Sequence, residues 1–309
     1  MKGRRVLVTG ASGNLGAELS RYLAKSNVVY GTARFTRPDA RAYLEAAGVS
    51  VIRHELGVDP LDVLPRDIEV IFNFGAFIPT GPTRSSARLD ADPALVAKVN
   101  ALAIGDMMRH WPKLKGFVQA SSCAVYAPQS RPLVETDPIC GPFGPYSATK
   151  YAGELVAHFA ASLYGIPTVL LRIFSAYGPR GGFVTERMQV MMAGGEVPLR
   201  DPGPSWASPI HTDDFSRMAV ESLAHAPAGG SFPLVLNIGG EAVTLEEYTD
   251  FMGRELGIVP KIRRDPNALP MPYGELTKMK QLVGAPTISI EEGIRRVLAA
   301  NGSKPGKER

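Results

Sequence analysis

The stretch "TGASGNLG" spaces Gly10, Gly13 and Gly16 three apart, after an apolar run and before a helical one. In that setting Gly10 permits the tight turn and Gly13 lets backbone approach a pyrophosphate. Gly16 lets helix and strand pack closely. The free N–H groups and positive dipole end of the following helix suit phosphates. The spacing therefore predicts a dinucleotide-binding loop, with a plain tight turn as the bland alternative. A second set lies further on. Tyr146 and Lys150 stand four apart in "GPYSATKYAGE", and Ser121-Ser122 end an apolar strand upstream. Four residues put tyrosine and lysine on one helix face, so three functional groups could converge beside a nicotinamide.

In dinucleotide sites an Asp or Glu at the end of the second strand commonly holds the ribose 2′-hydroxyl. Here that stretch reads "YGTARFTRP": no acid occurs from Val28 to Pro38, whereas Arg34 and Arg37 do. A planar guanidinium matches a 2′-phosphate, and without a carboxylate nothing repels the dianion. The expected cofactor is NADP, with NAD as the other option, and Arg34 is the expected 2′-phosphate contact.

The elements that must position these groups alternate. "RRVLVTG", "NVVYGTAR", "EVIFNFGAF" at 69–77, "GFVQASS" at 116–122 and "TVLLRIF" at 168–174 read as strands. "NLGAELSRYLAKS", 94–111 and 147–164 read as helices. The pattern predicts an α/β fold: a Rossmann-like, doubly wound parallel sheet with helices on both faces. Beyond about residue 175 glycine and proline crowd the chain, and "VLNIGG" at 235–240 adds one strand. The predicted division is an NAD(P)-binding domain, 1–175 plus about 207–240, and a smaller C-terminal substrate-binding cap. The cap takes about 176–206 plus 241–309.

At 309 residues, 45% hydrophobic and 21% charged, the composition is that of an ordinary globular protein. The net charge is +4 and the basic residues are scattered, so no nucleic-acid partner is expected. Their one cluster, "KPGKER" at 304–309, reads as a solvated tail. Two cysteines, Cys123 and Cys140, argue against a disulfide-stapled secreted fold. The apolar run in "MKGRRVLVTGASG" is too short for a signal peptide or a membrane span. A cytoplasmic protein with a small-molecule substrate, no membrane partner and no metal is the expectation.

Several further pieces run in a fixed order: "SSCAVY" at 121–126, "YSATK" followed by Glu154, and "LRIFSAYGPR" at 171–180. "PIHTDD" at 209–214 and "NIGGEAVTLEE" at 237–247 come after them. With the glycine loop, the chain resembles the extended short-chain dehydrogenase/reductase superfamily, the NAD(P)-dependent epimerase/dehydratase family. By that resemblance Tyr146 is the catalytic acid/base. Lys150 would lower the phenol's pKa from about 10 and bond the nicotinamide ribose. Ser122 would stabilise the substrate oxygen, with Ser121 as its structural neighbour. The resemblance also implies that Ser12, Asn14 and Leu15 join the three loop glycines on the cofactor. Glu55 and Leu56 would border the adenine, and the His54 side chain beside them is expected to be exposed. Gly75 and Ala76 would leave room for the cofactor, and Phe174 would border it. Asn100 would belong to the same surroundings, positioning the helix more than doing chemistry. Substrate would meet Ser122, Cys123, Ser175 and Trp206. A homodimer is implied, through two helices per subunit, and the apolar run "YAGELVAHFAASLYG" at 151–165 allows it.

The departures from the family matter too. Sugar dehydratases carry an Asp-Glu pair where this chain has Cys123 and Ala124, so dehydration lacks its acid and base. Nucleotide-sugar enzymes often hold a diphosphate with an arginine where "ASPIH" places Ala207. Their asparagine before Tyr-Gly-Pro is also absent, with Ser175 near its place. Arg180, Arg263 and Arg264 remain as candidates for a diphosphate, and "FIPTGP" at 77–82 with Trp206 as an apolar or sugar-stacking surface. The expected activity is an NAD(P)-dependent oxidoreductase, NADP favoured. It would move hydride at a secondary alcohol or ketone carbon of a sugar-like or small hydroxy/keto substrate. The alternatives are a nucleotide-sugar epimerase with tightly held NAD(P) and an inactive NADP sensor.

Overall fold

A computed structural model describes residues 1–78, 92–139, 144–201, 203–228, 232–266 and 271–301, without the side chains of Pro145 and Phe183. Cys140, most of "FIPTGP" and the "KPGKER" tail lie outside the described residues.

Six short runs form strands: β1 (Arg5–Thr9), β2 (Val28–Ala33), β3 (Ser50–Arg53), β4 (Val70–Asn73), β5 (Gly116–Ser122) and β6 (Thr168–Ile173). With Leu234–Ile238 they make one 7-stranded sheet, ordered β3-β2-β1-β4-β5-β6 and then Leu234–Ile238. Every neighbouring pair is parallel. Alternation along each strand feeds two cores. Val6 and Val8 face the helix α1 (Asn14–Ala24) and the helix Thr212–Ser222, through Leu19, Leu23, Phe215 and Met218. Leu7, Ile71 and Phe117 face the other side, where Ile104, Met107 and Ala157 close the core.

Those last residues belong to helices that the periodicity predicts. After the short helix α2 (Pro38–Glu45), the span 94–111 resolves into α3 (Pro93–Ala97), a π-helical turn at Lys98–Leu102 and α4 (Ala103–His110). The span 147–164 is the body of α5 (Pro145–Tyr164), which stops at Gly165 in the left-handed region, φ +67°. The edge strand β3 has no counterpart in the sequence reading. Its four residues are half-buried or exposed, too short and too polar to show a period.

The spans expected to form a cap contain Phe183–Met192, Leu245–Leu256 and Ile290–Ala300, with the paired strands Glu196–Arg200 and Lys261–Asp265. Val184, Met188, Tyr248, Met252, Ile294 and Val297 form their core. Thr244 and Glu247 start the second helix with a reciprocal capping box. One stretch inside the expected cap span packs elsewhere: Leu276, Met279 and Val283, around the helix Thr277–Val283, join the sheet core. Buried Asp214 fastens the next stretch to the helix Thr212–Ser222, accepting from the Thr287 and Ile288 amides, both at 2.8 Å. Among the described residues no helix is long and apolar enough to cross a membrane.

Candidate active site

The glycine loop joins β1 to α1 at the carboxyl end of the sheet, beside the gap between β1 and β4 where strand order reverses. Ligands of open α/β sheets bind at such a point. Gly10 takes φ +66°, and a Cβ there would meet the Phe74 and Gly75 backbone at 2.7 Å. A Cβ on Gly16 would overlap the Gly10 carbonyl oxygen, so helix and turn touch through backbone alone. Gly13 and Asn14 stand where the helix begins, and the Asn14 side-chain oxygen is buried without a hydrogen-bond partner among the described residues. Ser12, Asn14 and Leu15 are half-buried around it. Thr9 Oγ accepts from the Gly75 amide at 2.9 Å and so ties the end of β4 to the loop. Leu56 lies over Gly75, where a Cβ would stand 3.0 Å from its side chain, while Ala76 is exposed. This cradle fits a dinucleotide.

Past β2 the chain is exposed. Arg34 approaches Glu55 at 3.8 Å, and Arg37 donates to the Ser12 carbonyl at 3.3 Å. Between the two arginines Phe35 adopts φ +50°, which bulky residues rarely take. His54 departs from expectation: it is 3% exposed, because its amide extends the β2–β3 pairing to the Ala33 carbonyl.

Ser122 ends β5 and caps a single 3-10 turn, Cys123–Val125, by accepting from the Ala124 amide at 3.2 Å. One acceptor bond leaves the hydroxyl its O–H to donate. Tyr146 occupies the first turn of α5, half-buried. Lys150 follows one turn later, 5% exposed, and its Nζ donates to the Ala120 carbonyl at 2.7 Å. Burial pushes its pKa down to about 8, against the pull of Glu154. The fold thus gathers the strand end that bears Ser122 and the first turns of α5 at the carboxyl end of the sheet, where the glycine loop also lies.

Other expected site residues separate into neighbours and supports. Asn100 accepts from the Phe77 amide at 2.7 Å and donates to the Phe77 carbonyl and the Thr149 hydroxyl. Its amide is therefore occupied in joining the loop after β4 to α5. Phe174 is 0% exposed and packs with Val125, Tyr126 and Leu133, so it is core rather than a cofactor contact. Cys123 packs on the same cluster. Ser175, directly after Phe174, holds φ +43°, a strained conformation for a non-glycine residue. Trp206 stacks on Tyr273 with ring centres 5.5 Å apart.

The three arginines offered to a diphosphate are engaged elsewhere. Arg180 donates to Asp39 at 2.9 Å and lies over the Tyr43 ring at 4.5 Å. Arg263 pairs with Asp265 and Arg264 with Glu246 on the outside of the cap. A groove of about 790 Å³ lined by Met1, Tyr22 and His225 opens at the amino ends of the strands, away from all these groups.

Reading the sequence missed how Glu154 and Arg172 are used. Both are buried and bonded to one another, and Glu154 stands one helical turn after Lys150. Their one sequence signal was the four-residue step from Lys150 to Glu154.

The family model described as the NAD dependent epimerase/dehydratase family matches residues 6–239. A UDP-glucuronate 4-epimerase of Thermodesulfobacterium geofontis is 28% identical over 213 residues, 63% of this chain and 61% of that protein. A dTDP-4-dehydro-6-deoxy-D-allose reductase of Streptomyces bikiniensis is 27% identical, with 94% of each chain covered. The crystal structure of UDP-glucuronic acid 4-epimerase from Bacillus cereus, in complex with UDP-glucuronic acid and NAD, superposes with a TM-score of 0.80. It is 22% identical and covers 96% of this chain and 98% of its own, which shows a common fold.

Proposed function

Because the chain belongs to the NAD-dependent epimerase/dehydratase family, an enzyme family of the extended short-chain dehydrogenase/reductase type, we propose that it epimerises a secondary carbinol carbon of a sugar-like substrate. The observation that carries the reading is that the end of β5, which bears Ser122, meets the first turns of α5, which bear Tyr146 and Lys150, at the carboxyl end of the sheet where the glycine loop also lies. The 4-epimerases among its relatives favour epimerisation over net redox.

The glycine loop and the start of α1 would hold the pyrophosphate of NAD(P), which supplies and accepts hydride when bound. Tyr146 takes the proton from the substrate hydroxyl as the carbon is oxidised and gives it back on reduction. Ser122 donates to the same oxygen and stabilises the charge that develops there. The Lys150 ammonium favours the phenolate form of Tyr146 and orients the nicotinamide ribose. The substrate lies against Cys123, Ser175 and Trp206.

One observation favours a second reading, a reductase that releases NADP. Arg34 and Arg37 are exposed beyond β2 and no carboxylate occurs from Val28 to Pro38. With Arg180 held against Asp39 and the Tyr43 ring, that reading also suits a substrate without a diphosphate. Under either reading a second copy of the chain is expected on α5, where Leu155, Phe159 and Leu163 form an exposed stripe.

The experiment is to denature the purified protein and identify any released dinucleotide by mass. Stoichiometric NAD or NADP supports the epimerase. A vacant protein that binds NADPH reversibly supports the reductase instead. Tyr146→Phe tests the site itself: turnover should fall by roughly a hundred- to ten-thousand-fold while dinucleotide binding persists. Unchanged turnover overturns the acid/base role.

A further inference from the structure

Glu154 has no part in the chemistry above, yet a buried polar cluster converges on it. Its Oε1 accepts from the Ser121 hydroxyl at 2.5 Å and from Arg172 Nε at 3.0 Å. Its Oε2 accepts from Arg172 Nη2 at 2.8 Å. Both charged side chains are 5% exposed. Arg172 also donates to the Glu135 carbonyl at 3.0 Å and lies over the Tyr126 ring at 4.7 Å. The Tyr126 hydroxyl in turn donates to Asn237 on the last strand of the sheet.

Two features connect this cluster to the reaction. Ala120, Ser121 and Ser122 are consecutive residues at the end of β5. Lys150 holds the first through its carbonyl, Glu154 holds the second through its hydroxyl, and the third is the group that would face substrate. Lys150 and Glu154 are also one turn apart on α5, so the carboxylate is the nearest fixed negative charge on that helix face. An ammonium buried without such a partner loses its proton readily.

We propose that Glu154 is a positioning residue, whose buried carboxylate keeps Lys150 an ammonium and, through Ser121, anchors the strand end that presents Ser122. The proposal rests on the assignment of Ser122, Tyr146 and Lys150 made above. Arg172 balances the carboxylate from the opposite side, so that neither charge is buried alone. The charged group that acts on Lys150 is Glu154, and Tyr146 stands one turn before the lysine on α5. Arg172 on β6 faces the carboxylate, and Tyr126 after β5 and Glu135 in the loop beyond face Arg172 in turn. Burial already pulls Lys150 down to about 8, and Glu154 opposes that fall. Removing the carboxylate lowers the value further, so the ammonium is lost at a lower pH.

The test reads Lys150 directly, with no substrate. Lysine labelled with ¹³C at Cε is incorporated, the Lys150 signal is assigned by its loss in Lys150→Arg, and its chemical shift is followed against pH. Glu154→Gln should lower the midpoint by about one unit or more. Arg172→Lys disturbs the same packing but keeps the charge, and should leave the midpoint near that of the wild type. The double variant Glu154→Gln with Arg172→Met leaves neither member of the pair buried without the other, which protects its folding, and it too should titrate below the wild type. If the midpoint stays put in Glu154→Gln and in the double variant, the proposal is overturned. Turnover of Tyr146→Phe reports separately. If it is undiminished, the site assignment fails and the proposal falls with it. If it collapses while the lysine midpoint never moves, the role of Glu154 alone is refuted.

Discussion

Glu154 and Arg172 are each 5% exposed and share two hydrogen bonds, whereas Arg34 and Glu55 are 58% and 33% exposed and stand 3.8 Å apart. Both are arginine–glutamate pairs bordering the carboxyl end of one sheet. In the first, desolvation makes each charge dependent on the other, and removing one strands its partner. Burial disfavours the Arg172 charge, but the bonds to Glu154 outweigh it and hold the guanidinium protonated well above its usual range. In the second, water screens both charges and the pairing contributes little. Arg34 can turn to an incoming phosphate at almost no cost to the fold. Burial, more than residue type, decides which pair serves the architecture and which is available to a ligand.

The sharpest way to break that contrast is Arg172→Leu. It should destabilise the protein by about 3–5 kcal/mol in denaturant titration, since Glu154 is left buried and unpaired. A loss below about 1 kcal/mol would place the buried pair in the same class as the exposed one. The pH profile comes next. Lys150 is buried with a depressed pKa, so its ammonium is present below about 8 and lost as pH rises through that value. Turnover should decline over the same range, approaching tenfold per unit beyond it. A profile flat to pH 10 would mean that the ammonium is not needed.

Arg34→Asp tests the exposed pair as a ligand contact. Its effect on NADP should be a loss of affinity of tenfold or more, on the scale of a charge-assisted hydrogen bond, about 1.5–3 kcal/mol. NAD should be affected much less, and equal weakening of the two would remove the 2′-phosphate role. The smallest effect belongs to Arg34→Ala, whose stability should stay within about 1 kcal/mol of the wild type. A larger drop would show that this pair, too, is structural.

The dinucleotide-binding half of the fold was largely legible in the sequence. "TGASGNLG" between a β-branched run and an amphipathic one admits few conformations, because Gly10 and Gly16 stand where any Cβ would strike backbone. The runs that became β1, β4, β5 and β6 are buried on both faces, which is why they read as continuous apolar stretches. The cap was less legible. Its helix starts carry good signals, Thr244 with Glu247 and Ser289 with Glu292, but glycine and proline between them obscure the period. The helix Thr277–Val283 cannot be assigned to one side or the other from its own seven residues.

Local patterning, then, determined the glycine turn, the order of strands and helices, and the placing of Tyr146 and Lys150 on one helix face. These follow from backbone sterics and from side-chain period, which act within a few residues. Tertiary structure alone decided the partners of the charged groups. Arg180 reaches Asp39 across 141 positions, and Arg172 reaches Glu154 across 18. His54 lies buried where exposure was expected. A charge takes whichever partner the fold brings within hydrogen-bond reach, and nothing in its own stretch of chain encodes that choice.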